Sequence, residues 1–406
     1  MSHSIRIREA RSAADLRRFV DLPWRIYNAT DHPQWVPPLK LVVRDALDEK
    51  KNPFYQNASR ALFLAERDGK VVGRIAAIEN RAHNATHGDR VGFWGFFECI
   101  DEADVAAALF NAAESWLGAR RLTVMRGPVS PSLNHEAGLL VRGFRWPPTV
   151  MTTWNPRYYV PLVEGAGFAL AKELLGFFLP MDDARFELPP QFAEHAARAR
   201  ASSRLTFRDI NLQGDFTAEA ERCRLLYNAA WADNWGFVPM TVEEFRHLAD
   251  GLKLLLRSDF AFMAELDGRP AGFLVVLPDF NHVFKRIGTG RLFPTGWLQL
   301  LLGKSRLRTG RVVLLGVAPE FRSRSILQLF AHELYQRGRA VGAMGAEASW
   351  ILEDNHLMRK PLEVMGAKAY RTWRVYDRPI NALGSRGKGD QDAGSGSGQR
   401  SLPPAP

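Results

Sequence analysis

The sequence predicts an α/β protein (α+β, with a mixed sheet) built twice over, as two tandem units that are each a twisted central sheet flanked by helices. Landmarks recurring at one offset are the first reason. Residues 63–69 (FLAERDG) match 262–268 (FMAELDG), and Gly73 matches Gly272, each 199 positions later. Tyr27-Asn28-Ala29 anticipates Tyr227-Asn228-Ala229, and Val163-Glu164-Gly165-Ala166-Gly167-Phe168 sits at the offset of Leu362-Glu363-Val364-Met365-Gly366-Ala367. A lone hairpin match arises easily by chance, whereas three landmarks at nearly one spacing indicate a duplicated unit. The second reason is that strand-length apolar runs alternate with helix-period patterns in both halves. The third is length, since 406 residues suit two cores better than one.

Residues 15–27 carry Leu16, Phe19, Val20 and Ile26 at helical spacing, and a Pro-rich loop, 32–38 (HPQWVPP), follows. The run 61–79 reads as a hairpin about Asp68-Gly69. Residues 91–100 read as a strand, and Asp101 is placed to cap a helix bearing Val105, Leu109, Ala112 and Trp116. Gly/Pro-rich loops then hold 126–140 (RGPVSPSLNHEAGLL), Pro147-Pro148 and 154–159 (WNPRYY), where a fixed backbone lets polar and aromatic groups converge on a ligand. This first unit spans 1–180. The charged, Ala-rich segment 181–204 reads as a linker helix, and the second unit spans 205–380. Residues 381–406 are Gly, Ser, Pro and charge, a composition that cannot build a core and is expected to be disordered.

In the second unit, 311–317 (RVVLLGV) has strand length and Pro319 ends it. Arg322-Ser323-Arg324-Ser325 follows, then Ile326, Leu329, Phe330 and Leu334 on one helix face. A strand therefore feeds a turn whose amides open a helix. Those amides lack intrahelical partners and sit at the positive end of the dipole, which suits an anion such as pyrophosphate. Residues 345–352 (GAEASWIL) read as a second strand, 353–365 as a short helical piece, and 367–377 (AKAYRTWRVYD) alternates like a third.

This order resembles the distal half of a Gcn5-related N-acetyltransferase (GNAT) domain, and over 5–180 and 205–378 the chain resembles uncharacterised bacterial two-domain GNAT proteins. The family's phosphate turn, Arg/Gln-x-x-Gly-x-Gly/Ala after a strand ending Val-x-Pro, is similar to Arg322-Ser323-Arg324-Ser325-Ile326-Leu327. Ser325 and Leu327 stand where the family prefers glycine or alanine, and Leu362 where many members carry a Tyr thought to protonate the departing thiolate. The resemblance implies an acyl-CoA-dependent N-acyltransferase, acetyl or longer, with acetyl-CoA or another acyl-CoA as co-substrate and no metal. It implies a cofactor site at Leu315, Gly316, Val317, Arg322, Ser323, Arg324, Ser325, Ile326, Leu327 and Asn355. Strand alternation puts Glu347 and Ser349 on one face with Glu353 beyond them, so Glu347 or Glu353 is the expected base, directly or through water. The plainer reading of each is a surface carboxylate or an ion pair with Arg371 or Arg374. Tyr370 or Tyr376 is the replacement acid unless they are strand tyrosines packed on the core.

In the first unit, Asp101-Glu102-Ala103-Asp104 occupies the place of the phosphate turn, where like charge repels a pyrophosphate. That unit is expected to shape the acceptor pocket instead, through Asn134, Glu136, Trp154, Asn155, Tyr158 and Tyr159, for a small-molecule or peptide amine. For Asn134 to Glu136 the plainer reading is a loop held by its own hydrogen bonds. Ser132, His135 and Glu136 lack the Gly-x-Ser-x-Gly elbow of a hydrolase triad.

The net charge of +10 suits CoA, a nucleic acid or an anionic membrane surface. No nucleic-acid-binding motif accompanies it, so that partner is set aside. Cys99 and Cys223 lack metal-ligand spacing and read as reduced thiols. No apolar run approaches the roughly 18 residues of a membrane span and no secretory pattern opens the chain, so a cytoplasmic location is expected. Residues 284–310 (FKRIGTGRLFPTGWLQLLLGKSRLRTG) surround an apolar Trp-bearing helix with cations: from 285 to 311 there are seven Lys or Arg and no acid. The segment fits membrane-surface contact, a lid over a greasy substrate tail, or, more plainly, a helix packing its leucines on the neighbouring unit. Two further functional readings stay open: a catalytically inactive binding module on the same scaffold, and an aminoacyl-tRNA-dependent transferase.

Overall fold

The structure is a computed structural model that describes residues 4–183 and 186–381; the tail expected beyond 381 lies outside the described residues. The first half runs β1 (Arg6–Glu9), α1 (Ala13–Asp21), α2 (Pro23–Ile26), α3 (Lys40–Ala46), β2 (Ala58–Arg67), β3 (Lys70–Asn80), α4 (Arg81–His87), β4 (Val91–Cys99), α5 (Ala103–Gly118) and β5 (Val124–Gly127). The small hairpin β6 (Val129–Ser130) and β7 (Glu136–Ala137), then β8 (Leu139–Arg142), α6 (Tyr159–Gly165) and β9 (Ala169–Pro180), complete it. The second half runs α7 (Pro190–Ala201), β10 (Leu205–Asp209), α8 (Phe216–Trp231), α9 (Val242–Lys253), β11 (Ala261–Leu266), β12 (Arg269–Pro278), α10 (Asn281–Ile287), α11 (Gly296–Gly303), β13 (Thr309–Val317), α12 (Ile326–Ala340), β14 (Gly345–Leu352), α13 (His356–Val364) and β15 (Lys368–Pro379).

The repeat survives in backbone detail. The β2–β3 turn has φ +51° at Asp68 and +73° at Gly69; the β11–β12 turn has +51° at Asp267 and +74° at Gly268. Paired positive φ values are what a two-residue hairpin turn requires of Asp-Gly. Each hairpin then shifts register at the same place, between Ala65 and Glu66 and between Ala264 and Glu265. A Cβ on Gly73 would meet Leu109 of α5 at 2.7 Å, and one on Gly272 would meet Ile326 of α12 at 3.1 Å. Glycine at these positions lets the helix lie close on the sheet.

The sheet is continuous across both halves, in the order β1-β2-β3-β4-β5-β15-β9-β14-β13-β12-β11-β10, with β8 also pairing β15. The final strand of the chain lies between two strands of the first half, and β9 of the first half lies against β14 of the second. Each half therefore lends its last strand to its neighbour's sheet. The linker segment is also fastened: Phe192, Ala196 and Ala199 of α7 are buried, and the latter two pack with Leu329 of α12.

One gap positions the site. β13 runs parallel to β14 and pairs with it only from Thr309↔Gly345 to Val312↔Ala348, after which the two strands diverge. The other edge of β13 stays paired with β12 through Val317. The sheet thus opens into a V beside residues 313–317.

The basic apolar insertion departs from the packing expected of a leucine face against a neighbouring unit. Gly296 and Gly303 of α11 are buried while Trp297, Leu298, Leu301 and Leu302 point outward. The two glycines let α11 approach α10, where a Cβ on Gly303 would meet Val283 at 2.5 Å, so the small side of the helix faces in.

Candidate active site

Within the V, strand geometry decides which amides are free. The Ala318 amide donates to the Ala271 carbonyl on β12 at 2.9 Å, so with a period of two the Val317 and Leu315 amides point to the other edge, into the gap. The first half supplies the control. Gly73 pairs with Cys99 as Gly272 pairs with Val317, so Cys99 is the counterpart of Val317. There the gap is filled. The Cys99 amide donates to Tyr159 Oη at 2.9 Å, Tyr158 Oη donates to the Cys99 carbonyl at 2.9 Å, and the Phe96 amide donates to Ser130 Oγ at 3.0 Å. At the start of α5, Arg67 is paired with Glu102 and Asp104. A pantetheine arm finds no free edge and a pyrophosphate finds acids.

In the second half the turn before α12 survives its missing glycine. Ser325 adopts φ +59°, ψ +20°, the left-handed conformation glycine favours, and no side chain caps the helix. The first amides of α12 are left for a ligand. Arg322 and Leu327 line the adjoining cavity, Arg322 holding the Ala230 carbonyl at 3.3 Å. Ser323 and Arg324 are exposed beside it, and Ile326 is buried beneath the turn.

That cavity, about 570 Å³, passes through the V from one face of the sheet to the other. Leu315, Gly316, Val317, Leu327 and Asn355 line it, as do Ala331, Leu334, Met358 and Leu362 near α12 and α13. On the opposite face Tyr227 and Trp231 of α8 meet Leu133, Asn134 and His135 from the first half. Asn355 also caps α13, accepting from the Met358 amide at 3.2 Å. With Leu362 on the wall, no tyrosine stands at the position from which many GNAT members are thought to protonate the thiolate.

None of the four expected catalytic groups, Glu347, Glu353, Tyr370 and Tyr376, lines the cavity. Glu347 is fully buried and does not line the cavity. Its carboxylate accepts from Thr149 Oγ1 at 2.8 Å, from Ser349 Oγ at 2.6 Å and from Tyr370 Oη, and it pairs with Arg371 at 3.1 Å. Tyr370 is thereby spent, its pKa raised by burial and by the Glu347 charge. Tyr376 donates to Glu164, away from the cavity. Glu353 lies at the sheet end beside Lys172, accepting from the Glu173 amide. Alternation put Glu347 and Ser349 on one face correctly; that face carries the joint between halves.

The acceptor-binding candidates divide. Asn155 is buried and holds the Leu140 amide and carbonyl, Trp154 donates to the Phe144 carbonyl, and Tyr158 and Tyr159 plug the first gap, so these four build the first half. Asn134 lines the cavity, donating to the Val238 carbonyl at 2.9 Å and accepting from Tyr227 Oη at 3.2 Å. His135, absent from the expected set, lines the cavity with Nδ1 2.8 Å from Ser132 Oγ. Burial, with the His247 charge, lowers its pKa to about 4, so the ring is neutral at physiological pH. Glu136, one residue on, is exposed and lies between the cavity-lining His135 and Ala137 without lining the cavity itself; desolvation by the surrounding protein raises its pKa, opposed by the charge of Arg311, which lines the cavity.

No family model matches the chain. Protein YghO of Escherichia coli (strain K12) is 36% identical over 372 residues, covering 90% of this chain and 93% of that protein. The bacterial ceramide synthase of Caulobacter vibrioides is 35% identical over 377 residues, covering 91% and 96%. Among solved structures, a tandem GNAT protein from the clavulanic acid biosynthesis pathway aligns at TM-score 0.56, with 11% identity, over 93% of this chain and 99% of that one. A GCN5-related glucosamine N-acetyltransferase region of a fungal multi-domain beta-N-acetylglucosaminidase aligns at 0.55, with 14% identity, over 93% of this chain and 38% of that one. At these identities the structural likeness is one of fold: the chain has a GNAT-type fold like that of a tandem GNAT protein.

Proposed function

Because the chain belongs to the family of YghO and the Caulobacter bacterial ceramide synthase, and has a GNAT-type fold, we propose that it is an acyl-CoA-dependent N-acyltransferase. Its acceptor in this reading is a long-chain amino alcohol and its product a ceramide-type amide. The observation that carries the reading is the cavity through the V: apolar walls, free strand amides at its waist, and first-half groups at its far mouth. Its volume of about 570 Å³ and its Leu and Met lining suit a ligand with an extended hydrocarbon portion.

Residues of the second half would hold the acyl-CoA, with the Arg322 turn and the first α12 amides at its phosphates. The thioester carbonyl would be polarised by an amide of Val317 or Leu315. The co-substrate supplies an activated acyl carbon; the C–N bond forms as the C–S bond breaks, and the thiol sulfur leaves with the electron pair. The amine must give up a proton, and Glu136, beside the cavity-lining His135 and Ala137, is assigned to take it through water. A carboxylate with a raised pKa is a better proton acceptor than an ordinary one. Glu347, by contrast, has every oxygen occupied.

The test is thiol release with palmitoyl-CoA and a sphingoid base as substrates. Glu136→Gln should lower kcat by about 10²- to 10⁴-fold, the usual worth of a positioned base, with palmitoyl-CoA affinity unchanged. The wild-type rate should fall as pH drops through the raised pKa of Glu136, and that limb should vanish in the variant. Full activity in Glu136→Gln rejects the assignment, and absence of thiol release with any acyl-CoA and long-chain amine rejects the reaction.

A further inference from the structure

The apolar face of α11 is directed at solvent. Trp297, Leu298, Leu301 and Leu302, at helical spacing, are 44, 45, 65 and 63% exposed. Phe293, just ahead of the helix, is 77% exposed, and Leu254, whose carbonyl accepts from Lys304 Nζ at 3.0 Å, is 83% exposed. A single exposed leucine needs no explanation, but a contiguous cluster on one helix does. Lys285, Arg286, Arg291, Arg306 and Arg308 are exposed around it, and no acid interrupts 285–311.

We propose that this face docks the protein on an anionic lipid bilayer. The eight residues of α11 reach only about 12 Å, so the helix lies in the interface with its tryptophan and leucines among the acyl chains. Exposed cations would meet lipid phosphates and add electrostatic attraction to such a surface. Two further features set the orientation. The strap before α11 is fixed to the first half, where Trp24 Nε1 donates to the Gly288 carbonyl at 2.7 Å and the Lys40 amide to the Gly290 carbonyl at 2.9 Å. Leu248 and Leu252 of α9 line the reaction cavity, and Leu254 stands two residues beyond on the docking face. Docking would bring one side of the cavity near the bilayer. This deepens the proposed function, since an acceptor with a long apolar chain resides in that bilayer.

The full chain is sedimented with vesicles of phosphatidylcholine alone and of phosphatidylcholine with about one-third phosphatidylglycerol, without acyl-CoA or amine. Binding is expected to the anionic vesicles, weakening steeply as salt rises and the Debye length shortens. Leu301→Asp with Leu302→Asp should lower the partition coefficient at least tenfold with the thermal midpoint unchanged, since both side chains are already in water. Arg306→Glu with Arg308→Glu should remove most of the preference for anionic lipid. Equal binding to both vesicle types, no binding to either, or equal partition of the aspartate variant overturns the proposal. So does a lipid-free dimer, seen by sedimentation velocity and abolished by the aspartate pair, because a second copy would then cover the face. These readouts contain no turnover, so they stand or fall apart from the acyl-transfer assay.

Discussion

Glu347 gathers three hydroxyl donors and the Arg371 guanidinium where no solvent reaches. Thr149 comes from the first half and Arg371 from the exchanged strand, so the carboxylate is a joint across the molecule. Glu347→Ala should therefore cost about 3–5 kcal/mol in urea unfolding, the usual result of leaving a buried cation without its partner. Glu136 predicts the opposite. Its folded pKa lies above the unfolded value because burial disfavours the charge, so its ionised form weakens the fold once pH rises through that pKa. Glu136→Gln should be neutral or slightly stabilising at pH 8, and the difference from wild type should shrink on acidification as the wild-type carboxyl takes up its proton. Thermal midpoints across pH 4–8 would show it. Two glutamates with similar sequence credentials thus carry opposite signatures, loss of stability for one and loss of turnover for the other.

At the scale of the element, the junction of β13, its turn and α12 depends on backbone rather than on side-chain chemistry. Ser325 holds the left-handed conformation at a cost of about 1–2 kcal/mol for a non-glycine residue. Ser325→Gly should leave palmitoyl-CoA binding intact and the thermal midpoint unchanged or raised. Ser325→Val, β-branched and poorly suited to positive φ, should weaken acyl-CoA binding at least tenfold by isothermal titration. The first half shows the same element retired. Its strand edge is covered by Ser130, Tyr158 and Tyr159, and its helix start is acidic. One half keeps an open strand edge and an uncapped helix start, and the other sends Asn134 and His135 to the far mouth of the cavity.

For the whole molecule, the exchange of β9 and β15 makes the halves interdependent. Trp373, Val375 and Tyr376 of β15 are buried against the first half, where Gly138 packs on Trp373. Residues 1–183 expressed alone would expose the long edges of β5 and β9 and should aggregate. Co-expression with 186–406 should restore soluble protein that co-purifies as one species, and a chain ending at residue 367 should fail to fold. Soluble, monomeric 1–183 with native-like circular dichroism would contradict this.

The duplication, the hairpins, the strand at 311–317 and the turn before α12 were legible in the sequence, because each is written in short-range rules: Asp-Gly for a positive-φ turn, helical spacing after a strand-length run, alternation along a strand. It marked Asn134 and Glu136 as chemically interesting and placed the residues of the strand, turn and helix start beside one another. Which glutamate is a strut and which is accessible depends on the assembled fold, since Glu347 and Glu136 differ in what stands opposite them rather than in their neighbours along the chain. His135 was read only as part of its loop for the same reason: its signal is enclosure in the cavity, made by elements distant in sequence. The strand exchange and the outward leucines of α11 were equally hidden. Pairing partners and solvent exposure are properties of chain segments distant in sequence, and periodicity fixes which face a side chain takes but not what that face meets.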